Sequence, residues 1–594
     1  MKRRGATGES RAGRSLLFIG IFALAFVVRL AVSASLSHLG LWQNPQFDAR
    51  ENLAWAHALA AGDFAWPSPP THGPAYPFFL ALLLKVFGSI DAARIAQAAL
   101  ASATCVLVAR AGEVLFERKA GIAAGLLLAI SGPVALVDVS FWEEGFVGFL
   151  LTAALLLLAT RRTPAGAACA GLLLGVACAA RPTTVVFVLA ALAFVLLLEG
   201  SPRRMPAAAA LLIGATVVLA PAVVASSKAA GHFVFVRAYG AVNLWLGNDP
   251  ASGGIQNARP NGPWDVAIAA PARAGVAPKD EEAWFTRRTL ERANADPAGL
   301  ARAVLSKAVW LTQAEEPRDN HAYAFFARES GILRMLPGFG VLLALAVVSA
   351  FAVKPGRGIV LPLLWIAAGS LTVLAALVGL RYRMPLVPPV ALFSGAGASI
   401  LAERLRSREW RRFAPPVAVA VLALGATHLR RHAPSHAFTE EWTLEGNAWM
   451  ELGRPAEAER ALRRAVDADP KAALPVEFLG RLRLAQGRAA EAADAIEESL
   501  RMEPDSRSAH FFLGQAREAL GRPAEAVSAY RAALEISPAF FPAQFHLGRA
   551  LLLSGDPGAA AVELGKAVAL QPLEEPPREL LARARDLAAA TSAR

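Results

Sequence analysis

The stretch "SLLFIGIFALAFVVRLAVSASL", residues 15–36, holds 22 residues and a single charge, Arg29. A helix rises about 1.5 Å per residue, so roughly 20 apolar residues cross the ~30 Å hydrocarbon core of a bilayer. Runs of the same kind recur along the chain, among them "TTVVFVLAALAFVLLL" (183–198). Of 594 residues 55% are hydrophobic, and the mean hydropathy is +0.40. These values point to a polytopic bundle of membrane helices, in a chain too long for one ordinary domain.

The formal net charge of +12 is unevenly spread. Residues 439–574 carry 15 Lys and Arg against 21 Asp and Glu, a balance of −6, so the basic excess lies in the apolar part. There it sits in short loops between the apolar runs. That is the pattern of cytoplasmic membrane loops and excludes a nucleic-acid partner. The three cysteines, Cys105, Cys169 and Cys178, lie inside apolar runs with no metal-ligand spacing and read as small apolar side chains. The start, "MKRRGATGESRAGR", precedes a long run without a small-residue cleavage site and reads as the flank of an uncleaved first helix.

Placing the basic loops (Lys2–Arg14, Arg118/Lys119, Arg161/Arg162, Arg203/Arg204, Lys354/Arg357, Arg404–Arg412) in the cytoplasm fixes a topology. Eleven spans are expected, near 15–36, 92–116, 120–140, 145–160, 164–181, 183–199, 206–227, 337–353, 358–380, 384–402 and 413–429, with the N-terminus inside and the C-terminus outside. "PAYPFFLALLLKVFG" (74–88) is short, carries Lys85, and would invert every later loop if counted, so it reads as an interfacial or re-entrant helix. The arginines of "LRRHAPSH" (429–436) oppose the rule at the last span. The outer face then holds a first loop (37–91), the turn "SFWEEG" (140–145), a long loop (228–336) and "RYR" (381–383). Polar residues that converge on one membrane face are candidate site residues.

Beyond residue 438 a period appears. Gly446, Gly480, Gly514 and Gly548 recur every 34 residues, as do Gly453, Gly487, Gly521 and Gly555, and Pro470, Pro504, Pro538 and Pro572. A 34-residue period predicts helix–turn–helix units with small residues at the helix contact and proline after the second helix. The region 439–574 resembles four tetratricopeptide repeats, an α-solenoid, with Arg483 departing from the large apolar residue usual at its place. The tail 575–594 is expected to be a capping helix. The resemblance implies a protein or peptide partner.

The first outer loop reads "LWQNPQFDARENLAWAHALAAGDFAWPSPPTHGPAYPFFLALLLKVFG" (41–88). It resembles the corresponding loop of the GT-C membrane glycosyltransferases, closest to family 39, the protein O-mannosyltransferases and aminoarabinose transferases. Asp48 matches the family's acidic residue after the first span. Glu144, with Glu143 beside it, stands where a second acidic residue follows the third. Arg181 matches the basic residue after the fifth, "YGAVNLWLGNDPASGG" (239–254) a Gly-Asn segment, and "RYRMPLVP" (381–388) the entry to a late span. The resemblance spans about 380 residues and implies transfer of a sugar from a polyprenyl-phosphate donor to an acceptor on the outer face.

The residue types suit that chemistry. An acceptor hydroxyl is a weak nucleophile and benefits from a carboxylate base, for which Asp48 is the candidate. The leaving phosphate needs cations, for which Arg381 and Arg383, then Arg181, are candidates. Tyr382, His72 and Asn248 are further candidates. Each has an ordinary alternative: Asp48 as a helix cap, Glu144 at a helix start, the arginines as interfacial side chains, His57 and His72 as solvated loop histidines, and Trp42, Trp55 and Trp66 as interfacial anchors. Asp48, Glu51, Glu143, Glu144 and His72 leave a divalent cation open, and no cofactor is specified.

The organisation expected is therefore all-α: a GT-C-like transmembrane domain at 1–436, repeats at 439–574, then the tail. A bacterial inner (plasma) membrane location is expected, with the repeats on the outer, periplasmic side. The competing readings are a non-enzymatic scaffold displaying the repeats and a transporter or flippase. The scaffold leaves the outer carboxylates without purpose, and the transporter sits poorly with spans that carry few charges.

Overall fold

A computed structural model describes the chain except residues 1–10, 68–69, 162, 199–202, 239, 250–262, 352, 354–356, 409, 429–437, 572–574 and 593–594. The basic residues at 2–4, Arg162, Lys354, the end of the Gly-Asn segment, "LRRHAPSH" and Pro572 lie outside the described residues. The chain forms helices with no β-sheet among the described residues. It divides into two compact units. One comprises Met1–His38, Phe47–Gln256 and Phe285–His432; the other comprises Leu39–Gln46, Asn257–Trp284 and Ala433–Arg594.

The first unit is the membrane body of a multi-pass protein. Gly13–Leu36, Ile90–Leu115, Arg204–Ala230, Gly331–Phe351 and Leu380–Arg406 are long and apolar enough to cross a bilayer. Arg118–Ala129 and Gly132–Val139 form a sixth candidate, bent by 60°. The remaining expected spans fall on shorter apolar helices: Glu144–Thr160, Pro164–Ala180, Pro182–Leu197 and Ile359–Ala375, and on Trp410–Ala426. Ala75–Phe87 has 13 residues, about 20 Å of helix, shorter than the hydrocarbon core.

Close approach rather than bulk packs these helices. A Cβ at Gly171 would lie 2.1 Å from the Leu211 carbonyl oxygen, and one at Gly214 would lie 2.3 Å from that of Ala168. Helices 164–180 and 204–230 therefore meet backbone to backbone, as small residues allow in lipid. Charge does occur within the spans. Arg29 is wholly buried and bonds Asp138 at 2.6 and 2.9 Å. It also donates to the carbonyls of Ala25 (3.0 Å) and Ala129 (3.3 Å), the latter at the bend, where the helix can no longer satisfy its own acceptors.

Trp55 and Trp66 are corrected by the structure. Their rings pack edge to face at 5.4 Å, with Phe78 6.4 and 6.2 Å away. They fasten helix 48–60 to helix 75–87 as core, since rings gain more from packing on each other than from an interface position. Trp42 is buried as well, in the second unit.

In the second unit four helix pairs follow one another: Thr439–Glu451 with Pro455–Ala468, Ala473–Ala485 with Ala489–Met502, Arg507–Ala519 with Pro523–Ile536, and Phe541–Leu553 with Pro557–Leu570. The periodic glycines have a physical cause. A Cβ at Gly446, Gly480, Gly514 or Gly548 would come within 2.4–2.6 Å of Leu462, Ile496, Tyr530 or Leu564 on the paired helix. The second glycine column turns the chain with φ of 70° to 84°. Arg483 lies toward solvent, near Glu491 at 3.9 Å. Glu575–Ser592 closes the stack, burying Leu581 and Ala584.

Candidate active site

Helix Asp48–Ala60 begins at Asp48 itself, after Phe47 in a left-handed conformation (φ 54°). The cap reading of Asp48 is therefore overturned. No side-chain cap bond forms, because the carboxylate turns to stronger partners. Oδ2 meets Nη1 of Arg381 at 2.6 Å, and Oδ1 lies 3.6 Å from Nε2 of His72. His72 Nδ1 lies 3.1 Å from Glu51 Oε2, and the Thr71 hydroxyl donates to the same oxygen. His72 is thus a buried, doubly paired side chain rather than a solvated one.

Arg381 is 4% exposed and reaches Asp319 Oδ1 at 3.3 Å with its other terminal nitrogen. Its guanidinium carbon lies 5.3 Å from the Trp142 ring. The next residue, Tyr382, offers its ring to Arg181, whose guanidinium carbon lies 4.7 Å away. Arg181 pairs with Glu144 and, at 3.5 Å, with Glu143. Arg383 turns elsewhere, to Glu316 and to the Gln313 carbonyl at 2.8 Å. Nε of Arg381, Nε of Arg383 and Oε2 of Glu144 are buried with no hydrogen-bond partner. The first loop, the "SFWEEG" turn, the end of helix 164–180 and "RYR" so converge within the first unit.

Asn248 does not join this cluster. Its amide donates to the carbonyls of Leu244 and Ala375, both at 2.9 Å, and its oxygen accepts from Lys307 at 2.9 Å. A Cβ on Gly247 would lie 1.8 Å from the Ala376 oxygen, so the Gly-Asn pair serves close packing there.

Asp319, Glu316 and His321 belong to the site and were not read from the sequence. They stand in "QAEEPRDNHA" (313–322), whose density of polar residues just before an apolar run was the available signal. His321 is buried, its ring 5.6 Å from Phe47 and 6.5 Å from Trp142.

Burial would raise the Asp48 carboxyl, but Arg381 and then His72 outweigh it and hold it well below the usual carboxylate range. Burial would lower His72, yet the bonds to Asp48 and Glu51 hold it up at about 9. Burial, with the charges of Arg318 and Arg381, pushes His321 down to about 3, so its ring is neutral at pH 7. Six carboxylates therefore face three arginines and a protonated histidine. Among the described residues no group of three or more His, Cys, Asp or Glu is placed to hold a metal ion.

A helical membrane body with a buried arginine–carboxylate cluster, followed by a helical repeat stack, is the arrangement of a membrane transferase with a binding module. Residues 71–226 match the family model described as dolichyl-phosphate-mannose-protein mannosyltransferase, and residues 443–494, 478–539 and 517–584 match tetratricopeptide-repeat models. These matches bear out the resemblance read from the sequence and support a membrane glycosyltransferase of the GT-C type joined to a tetratricopeptide-repeat domain. The first match contains His72, Glu143, Glu144 and Arg181 and leaves Asp48 and "RYR" outside it. No curated protein matches the chain. Similar solved structures include MamA (20% identity, 29% of this chain and 89% of that one, TM-score 0.21). Two others are a thermophilic tetratricopeptide-repeat protein of Thermus thermophilus (22%, 25% and 80%, 0.23) and PilW, a type IV pilus biogenesis factor (20%, 32% and 86%, 0.24).

Proposed function

We propose that the chain, through the membrane domain at 1–436, transfers a sugar from a polyprenyl-phosphate donor to an acceptor hydroxyl on the outer face of a bacterial inner membrane. The repeats at 439–574, on the same outer side, bind a protein or peptide partner. The observation that carries this reading is the 2.6 Å pair of Asp48 and Arg381, which joins the first loop to "RYR".

The pair also supplies a mechanism. A carboxylate held by an arginine is a poor base, and an arginine held by two carboxylates is a poor phosphate ligand. A donor phosphate exchanging onto Arg381, whose Nε has no partner, releases Asp48 and restores its basicity. The acceptor oxygen then attacks the anomeric carbon, and the bond from that carbon to the phosphate oxygen breaks. Polyprenyl phosphate leaves with the bonding electrons, and the hydroxyl proton passes to Asp48. Arg181, held by Glu143 and Glu144 over Tyr382, supports the same phosphate from the other side. Arg383 positions the loop through Glu316.

The test is transfer by purified protein from polyprenyl-phosphate mannose to peptide, lipid and glycan hydroxyls. Asp48→Asn is expected to lower kcat by about 10²- to 10⁴-fold, and Arg381→Lys to raise KM for the donor. Full transfer by both Asp48→Asn and Asp48→Ala overturns the assignment.

A further inference from the structure

The repeat unit contains a piece of chain from far upstream, Leu39–Gln46. Glu445, on the first repeat helix and 3% exposed, accepts the backbone N–H of Gly40 at 2.7 Å and of Leu41 at 2.9 Å. Gly40 lies against the indole of Trp449, where a Cβ would come within 2.9 Å of the ring. Farther along, Asn44 donates to Glu451 at 2.7 Å, and Asn447 donates to the Gln46 side-chain oxygen at 3.1 Å. The first repeat thus holds this segment as such stacks hold a foreign peptide: backbone groups on a carboxylate, a tight aromatic contact, and side-chain amides along the helix.

The chain leaves the repeat unit at Gln46. The next residue is Phe47, bulky and at φ 54°, a conformation that persists only where its surroundings dictate it. After it comes Asp48. The Phe47 carbonyl accepts from Arg50 at 2.9 Å and from Glu51 at 3.1 Å, closing the first turn of the helix that carries Asp48.

We infer that Glu445 is a positioning residue for Asp48: the first repeat anchors residues 39–46 and so sets the helix start from which the Asp48 carboxylate meets Arg381. The inference rests on the function proposed above only for its catalytic consequence.

The test uses the full chain in detergent, read by amide hydrogen exchange and by donor turnover with polyprenyl-phosphate mannose. Glu445→Ala is expected to release the Gly40 and Leu41 amides and to speed exchange at Arg50 and Glu51. It lowers kcat on the order of tenfold with little change in KM for the donor, as small misplacements of a catalytic group do. Gly40→Val attacks the same contact from the other side and gives the same result. Glu459→Ala, which removes an exposed pair with Arg463 on the first repeat, changes neither readout. If Glu445→Ala loses protection throughout the repeats, Glu445→Gln, which keeps one acceptor oxygen, decides in its place. Release of 39–41 with unchanged exchange at Arg50 and Glu51 overturns the inference. If Asp48→Asn retains turnover, the proposed reaction fails while the exchange result still decides the anchoring.

Discussion

His72 is the residue whose state most directly reports on the cluster. Raised to about 9, it contributes stability that is complete below its ordinary value of 6.5 and is lost as pH rises through about 9. Asp48, held low, contributes above its ordinary value of 3.8 and is lost only as pH falls through its depressed one. The two contributions coexist fully between those ordinary values and persist at neutral pH. The imidazole resonances of His72 are expected to titrate near 9. Glu51→Gln, which removes one partner, brings the midpoint down. A midpoint at 6.5 in the unaltered chain would mean that Asp48 and Glu51 do not hold the ring. At this scale Asp48, Glu144, Arg181 and Arg381 were legible, because a charge flanking an apolar run stands out against its surroundings. Asp319 was not, because a 109-residue outer loop dilutes ten polar residues, and only the tertiary fold returns them to Arg381.

At the scale of elements, the bent pair at 118–139 explains why Arg29 lies in the first apolar helix. Removing one member of a buried ion pair leaves an uncompensated charge. Arg29→Ala is therefore expected to cost about 3–5 kcal/mol, and Arg29→Met with Asp138→Leu clearly less. Thermal unfolding in detergent measures both; equal losses would show that the backbone acceptors at the bend, rather than the pair, need the arginine. Hydropathy located the helices because burial in lipid is a property of whole runs. The bend escaped it because averaging over such a run hides the Ser131-Gly132-Pro133 triplet, a turn signal of three residues.

For the whole molecule, the loop charges predict that a periplasm-active reporter fused after residue 594 is active. A reporter active only in the cytoplasm would exclude the outer placement of the repeats. The repeat stack was readable in full outline because each unit contacts its neighbours and so writes its contacts into the sequence at a fixed period. That a segment at 39–46 belongs to the same body was not, since nothing local distinguishes a peptide waiting for a groove from an ordinary loop. The wait has a duration. The partners Gly40 and Glu445 are 405 residues apart, which at a synthesis rate of about 5–20 residues per second is roughly 20–80 s. For that interval the residues just ahead of Asp48 exist without their binding site, and the cluster beyond them is assembled last. The order of synthesis thus keeps this chain idle until its final domain has been made, and a ribosome that stalls late yields membrane helices already inserted but with no competent first loop.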